Sequence, residues 1–299
     1  MIDSVDDSDD SPARSGRADT PESVQLRALR ERQPELADAV EMHLELLAVQ
    51  RRVQLRIPLP SFELSAQIIG RHQAEARPLL RFEHIPLEST DLRLVVRQTA
   101  DILCRFGMLE DADHQRVQTF ERDMALLDIA ARWYRAAAER HSSALVDGSA
   151  RSEDQPAASG PLDQVLTLAM RPFLARCAEL LQQHAELGLW SHAHCPLCGA
   201  EPDLSVITPA AERHLICGRC TLRWKFDPLT CPFCYNSDRS TITSFATPDG
   251  QYRVYACNAC KRYLKAYDGR RATRPVMPVL DSVATLPLDA AAMQRGYSG

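Results

Sequence analysis

Residues 194–199 read "HCPLCG": two thiols three positions apart, a proline between them and a glycine behind. The device recurs as "CGRC" at 217–220, "CPFC" at 231–234 and "CNAC" at 257–260, so eight of the ten cysteines fall between Cys195 and Cys260. Two residues between thiols let both sulfurs face one metal ion, while backbone N–H groups behind the first cysteine turn back and offset thiolate charge. Proline inside the knuckle sets φ without removing a needed donor, and Gly199 suits the left-handed position that follows. One such pair could be a redox dithiol. Four of them within 66 residues read as metal ligands.

The gaps between successive pairs are 18, 10 and 22 residues. Each long gap accommodates a hairpin and the short one suits a connection, which predicts sequential sites: Cys195, Cys198, Cys217 and Cys220 for the first, Cys231, Cys234, Cys257 and Cys260 for the second. A cross-braced arrangement, first pair with third and second with fourth, is the competing topology. Four thiolates close a tetrahedral centre and leave no position for water or substrate, so the expectation is two structural or electron-carrying ions and no enzyme. Tetrahedral sulfur suits zinc and iron alike. His192, His194 and His214 flank the knuckles, but eight thiols complete two sites without them. Cys104 and Cys177 lie on helical apolar stripes and read as core.

The rest of the chain is of a different texture. It has 299 residues, 45% of them hydrophobic and 25% charged, a globular composition long enough for two domains. No apolar run approaches the roughly 18 residues of a membrane span, and the N-terminus is acidic where an export signal is basic. The expectation is a cytoplasmic protein without membrane insertion. Residues 1–22 read as a disordered acidic segment and 23–190 as an all-helical domain. Within the latter, helices are predicted from Pro34, over 90–106, over about 112–140 and from Pro161, with Pro172 kinking or breaking the last. The proline-containing stretch from Pro58 to Ser89 reads as an extended connection suited to a partner, and 141–160 as a surface linker. From about residue 191 short β-like runs alternate with turns, giving modules at 191–226 and 227–272 and a tail at 273–299 packed on the body. The predicted class is therefore α+β multidomain: a helical domain followed by two tandem rubredoxin-like or zinc-ribbon modules.

Many zinc ribbons bind nucleic acid, so the charge matters. The net charge is -5 and the isoelectric point about 6.0. Residues 191–272 carry eleven basic and seven acidic side chains, and eight thiolates with two divalent ions bring that surplus to about zero. A neutral module lacks the basic field on which nucleic-acid affinity rests, although "CKRYLKAYDGRR" remains a small basic patch. Glycine-rich phosphate loops, nucleophile elbows and HExxH are absent from the sequence.

The order "CPLCGAEP", "CGRCTLRW", "CPFC", "CNACKRYLKAYD" resembles the formate dehydrogenase accessory protein family, FdhE. Its signature tryptophan falls on Trp224, its "YLK" on Tyr263, Leu264 and Lys265, and its "ATL-LD" tail with a closing "GY" on the C-terminal segment. Tyr235 stands where that family usually has glycine, which strains the turn unless Asn236 takes the left-handed position. Arg262 stands where a glycine often precedes the "YLK". An acidic pair that often precedes the tail motif is reduced to Asp281; if that pair contacts the client enzyme, affinity or client choice differs here. The resemblance implies a cytoplasmic assembly factor for a respiratory molybdenum-dependent formate dehydrogenase, engaging the catalytic subunit before its twin-arginine export. A rubredoxin-like electron carrier and a nucleic-acid-binding ribbon are the alternatives.

Overall fold

The computed structural model describes residues 19–60, 65–119, 123–147, 160–181 and 190–299. Helix α1 (Pro21–Arg32) starts at a cap that its sequence supplies: the Thr20 hydroxyl accepts from the Ser23 amide at 3.1 Å, and Pro21 presets the first turn. Pro21 and Glu22 are thus helical, while most of the acidic stretch expected to be disordered lies outside the described residues. A 3₁₀ turn at Pro34–Leu36 leads into α2 (Ala37–Gln54).

Two helical expectations change. Within the stretch read as an extended connection, α3 (Ala66–Glu75) forms, capped by the Ser65 hydroxyl and closed by left-handed Ala76. The prolines that suggested an extended chain, Pro58, Pro60, Pro78 and Pro86, flank this helix and never interrupt it. The helix expected over 112–140 is two, α5 (Asp111–Gln118) and α6 (Asp123–Asp147). Helix α4 (Ser89–Arg105) precedes both in the chain, and α7 (Pro161–Leu181) follows them.

Helix α7 runs through Pro172 as one helix. Proline brings no N–H, which leaves the carbonyl four residues back without its helical donor. That carbonyl, on Leu168, instead accepts from the buried Gln50 side chain at 2.8 Å. Helices α2, α4 and α7 pack together around Leu46, Val49, Leu92, Val96, Leu103, Phe173 and Leu174.

The sheet follows, made of β1 (Pro202–Ile207), β2 (Arg213–Cys217), β3 (Arg223–Phe226), β4 (Ile242–Ala246), β5 (Tyr252–Cys257) and β6 (Tyr263–Asp268). Its order is β3-β2-β1-β6-β5-β4. Each half is an antiparallel three-stranded meander, and the halves join edge to edge through a parallel β1–β6 ladder with Leu204 opposite Lys265. Pairing β1 with β6 covers one edge of each meander, an arrangement no local pattern announces.

The tail straddles both parts. Helix α8 (Pro278–Ala284) packs Val279, Leu280 and Val283 against Leu26, Leu29 and Val40, and Glu22 caps it by accepting from the Val279 amide at 2.9 Å. Helix α9 (Leu286–Gln294) lies on the sheet, where Asp289 accepts from Tyr263 at 2.7 Å and from Lys265 at 2.8 Å. Two residues of the "YLK" motif thus hold the aspartate of the tail motif. Asp281, read as a possible client contact, is fully buried: it accepts from Tyr252 at 2.7 Å and from the Met277 amide at 2.7 Å, and it pairs with Arg274. Among the described residues no helix is long and apolar enough to cross a membrane.

Candidate metal centres

The four knuckles share one backbone geometry. The first cysteine's amide donates to the carbonyl five residues on: Cys195 to Ala200, Cys217 to Leu222, Cys231 to Asn236 and Cys257 to Arg262, at 2.8–3.0 Å. Its carbonyl accepts from the residue after the second cysteine, from Gly199, Thr221, Tyr235 and Lys261, at 2.9–3.1 Å. All four of these residues are left-handed, with φ of 71°, 59°, 58° and 57°. Gly199 takes that conformation without strain, while a residue with a Cβ gives up roughly 1–2 kcal/mol. Tyr235 therefore occupies the left-handed position itself, and Asn236 does not relieve it. In compensation the Tyr235 hydroxyl accepts from the Ala193 amide at 3.1 Å, and its ring meets Phe226 edge-on.

Knuckles one and three precede a meander, and knuckles two and four join its second and third strands. Hairpin closure therefore brings the cysteines together in chain order. Cys195, Cys198, Cys217 and Cys220 form one set and Cys231, Cys234, Cys257 and Cys260 the other, all sulfurs of a set lying within 4.8 Å of one another. In the first, Sγ–Sγ distances are 3.5 Å for Cys195–Cys220, 3.4 Å for Cys198–Cys217 and 3.7 Å for Cys198–Cys220. In the second they are 3.8 Å for Cys231–Cys260 and 3.7 Å for Cys234–Cys257. A metal–sulfur bond near 2.3 Å in a tetrahedron places its sulfurs about 3.8 Å apart. The donor sets fit such an ion. His192, His194 and His214 stand outside both sets: His194 bonds the Ala76 carbonyl and His214 meets Arg223.

The thiols also behave as groups that need a cation. In the second set Cys231 is lowered to about 5, chiefly by the hydrogen bond from Cys260, while burial lifts Cys234 to about 11. In the first, burial pushes Cys195 and Cys220 well up. Sulfurs this close cannot all ionise together unless a positive ion shares their charge. Charge dispersal is provided at Cys217, whose Sγ accepts from the Arg219 and Cys220 amides at 3.4 Å, and at Cys257, which Asn236 Nδ2 approaches at 3.7 Å.

The sets differ in their surroundings. The first is built into the main core with Phe173, Leu174 and Leu181, and all four of its cysteines are buried. The connection after α3 lies along it: the Leu79 and Leu80 amides donate to the Pro196 and Leu197 carbonyls at 2.9 Å, and the Tyr134 hydroxyl donates to the Leu80 carbonyl at 2.7 Å. This proline-flanked segment faces inward, onto the first knuckle. Trp190 Nε1 donates to the His194 carbonyl and Trp224 Nε1 to the His192 carbonyl, at 2.8 and 3.0 Å. Arg219 stacks on Trp133 of α6, 3.7 Å from its centroid. In the second set Cys234 and Cys260 are half-buried. Cys177 is core as expected, but Cys104 is only half-buried, its thiol donating to Asp111 at 3.4 Å. Arg213, buried beside the second set, carried no signal in the sequence, where it is one arginine among many.

Fold and sites together define a class: a helical body joined to a sheet that carries two four-cysteine knuckle sites. Comparison with known proteins shows what the chain is similar to. The chain is 29% identical over 133 residues to an FdhE homolog of Haemophilus ducreyi, covering 44% of this chain and 43% of that protein. It is 33% identical over 107 residues to the homolog of Shewanella oneidensis (34% and 35%) and 28% identical over 113 residues to that of Aquifex aeolicus (36% and 40%). The matched segments thus span less than half the length of these relatives. The crystal structure of FdhE from Pseudomonas aeruginosa superposes with a TM-score of 0.55 at 20% identity, over 93% of this chain and 91% of that one, and shares the fold. No protein-family model matches the chain. The resemblance to FdhE that the knuckle sequences carry is borne out.

Proposed function

We propose that this protein is an accessory factor for a formate dehydrogenase, acting in the cytoplasm and binding the enzyme's catalytic subunit through a surface stiffened by two metal ions. In this reading Cys195, Cys198, Cys217 and Cys220 hold one ion and Cys231, Cys234, Cys257 and Cys260 the other. Each ion, when bound, supplies folding free energy and a rigid cross-link between a knuckle pair. The observation that carries the reading is the closure of both sites: with four sulfurs around each centre no coordination position is left for a substrate, so the metals serve shape. The similarity to FdhE homologs points to the client. The test is capture of the tagged protein from cells respiring formate. Recovery of the formate dehydrogenase catalytic subunit supports the reading, and clean capture without it overturns it.

The half-burial of Cys234 and Cys260 favours a second reading, in which the second centre is a rubredoxin-like iron that passes electrons to the client. Elemental analysis after anaerobic purification decides this. Zinc alone, without visible sulfur-to-iron absorption, removes it.

A further inference from the structure

Beside the second cysteine set lies a cavity of about 170 Å³, lined among others by Arg213, Leu229, Cys231, Arg239, Tyr255 and Cys257. That is near the ~150 Å³ that accommodates a benzene-sized molecule. Arg213 is 5% exposed; it donates to the Asp227 and Thr230 carbonyls, and its Nε has no hydrogen-bond partner. Burial lowers Arg213 to about 10, which leaves it charged at neutral pH. The Asp227 carboxylate interacts with Arg213 electrostatically, but no carboxylate is among the residues lining the cavity. The exposed lining residues are mixed, with Pro228 and Leu229 apolar (Leu229 44% exposed) and Arg239 and Ser244 polar.

A bare divalent cation entering here meets two guanidinium groups and no carboxylate. A small planar anion meets the reverse: positive charge, apolar walls, and two of the four cysteines of the set, Cys231 and Cys257, among the lining residues. Among the described residues the opening that touches a cysteine of the first set, at Cys217, is only about 20 Å³, and all four cysteines of that set are buried in the core. We propose that this cavity is the exchange port of the second centre, taking small planar anionic chelating molecules through which that centre gains and loses its metal while the first keeps its own. The inference rests on the reading of both cysteine sets as metal-holding. In the exchange the ion passes whole between the chelator's donors and the four sulfurs. No electron moves, and the released thiolates take protons from water as the pH dictates.

The experiment uses the full-length protein as purified with its metals. Metal per chain is counted first, and release is then followed by elemental analysis of filtrates after adding 2,6-pyridinedicarboxylate, a planar dianion, or 2,2′-bipyridine, a neutral chelator of similar size. The expected result is one metal per chain released at least about ten-fold faster than the other, an effect of access and charge of the size that electrostatic focusing produces. Arg239→Glu slows release to the dianion about ten-fold and leaves bipyridine unchanged, as charge steering requires. Leu229→Trp, a change at an exposed rim position, slows both. Fewer than two metals per chain even after reloading with excess zinc or iron overturns the metal reading and the port with it. Two metals that leave together, or wild-type rates in both variants, overturn the port alone.

Discussion

The side-chain amide of Gln50 on α2 donates to the Leu168 carbonyl on α7 at 2.8 Å, and that carbonyl lacks its helical donor because Pro172 has none. Gln50→Leu then leaves a buried carbonyl without a partner and lowers stability by about 1–3 kcal/mol. Pro172→Ala in the same background restores an amide donor and recovers most of the loss. Urea denaturation of the metal-loaded single and double variants checks this. Additivity within about 0.5 kcal/mol sinks the coupling.

The four left-handed knuckle positions respond with opposite signs. Lys261→Gly removes a strained Cβ and raises stability by roughly 0.5–1 kcal/mol, while Gly199→Ala introduces one and lowers it by about 1 kcal/mol. Denaturant midpoints at equal metal loading are the measurement.

The two cysteine sets are unequal in reach. Cys198→Ser breaks a centre embedded in the main core, so metal content falls and the helical domain loses cooperativity, seen as an early loss of helical circular dichroism on heating. Cys260→Ser breaks the half-buried centre and lowers metal to about one per chain with the helical transition retained. Identical melting of the two variants contradicts this.

Asp289 joins the tail to the sheet through Lys265 and Tyr263. Asp289→Ala leaves the buried Lys265 ammonium without its carboxylate, at a cost of about 3 kcal/mol. Hydrogen exchange is expected to rise first over 286–294, the α9 segment. Unchanged protection there removes the proposed anchoring role.

The grouping of the cysteines into two fours, the helical-then-β order and the family resemblance were legible because they depend on local spacing: a two-residue gap aims two sulfurs at one point wherever it stands. The left-handed Gly199 was legible for the same reason. Tyr235 was not, since the hydroxyl contact with Ala193 that accompanies its strain comes from 42 residues away. Helix α3 was hidden because its prolines were weighed by number, when their positions outside Ala66–Glu75 were what mattered. Asp281 was linked to a client only through the acidic pair of the family that the chain resembles. Its partners Tyr252 and Arg274 are brought to it only by the fold.

By itself the sequence determined which eight cysteines belong to paired knuckles and favoured sequential fours, because knuckle and hairpin geometry is local; the structure settled the pairing. Only the tertiary structure decided that the first cluster is buried in the main core while the second stands beside an arginine-lined cavity. It also decided that the two meanders merge through β1 and β6. Burial and edge pairing depend on surfaces far apart along the chain, and no spacing of cysteines encodes which side of a centre the rest of the protein covers.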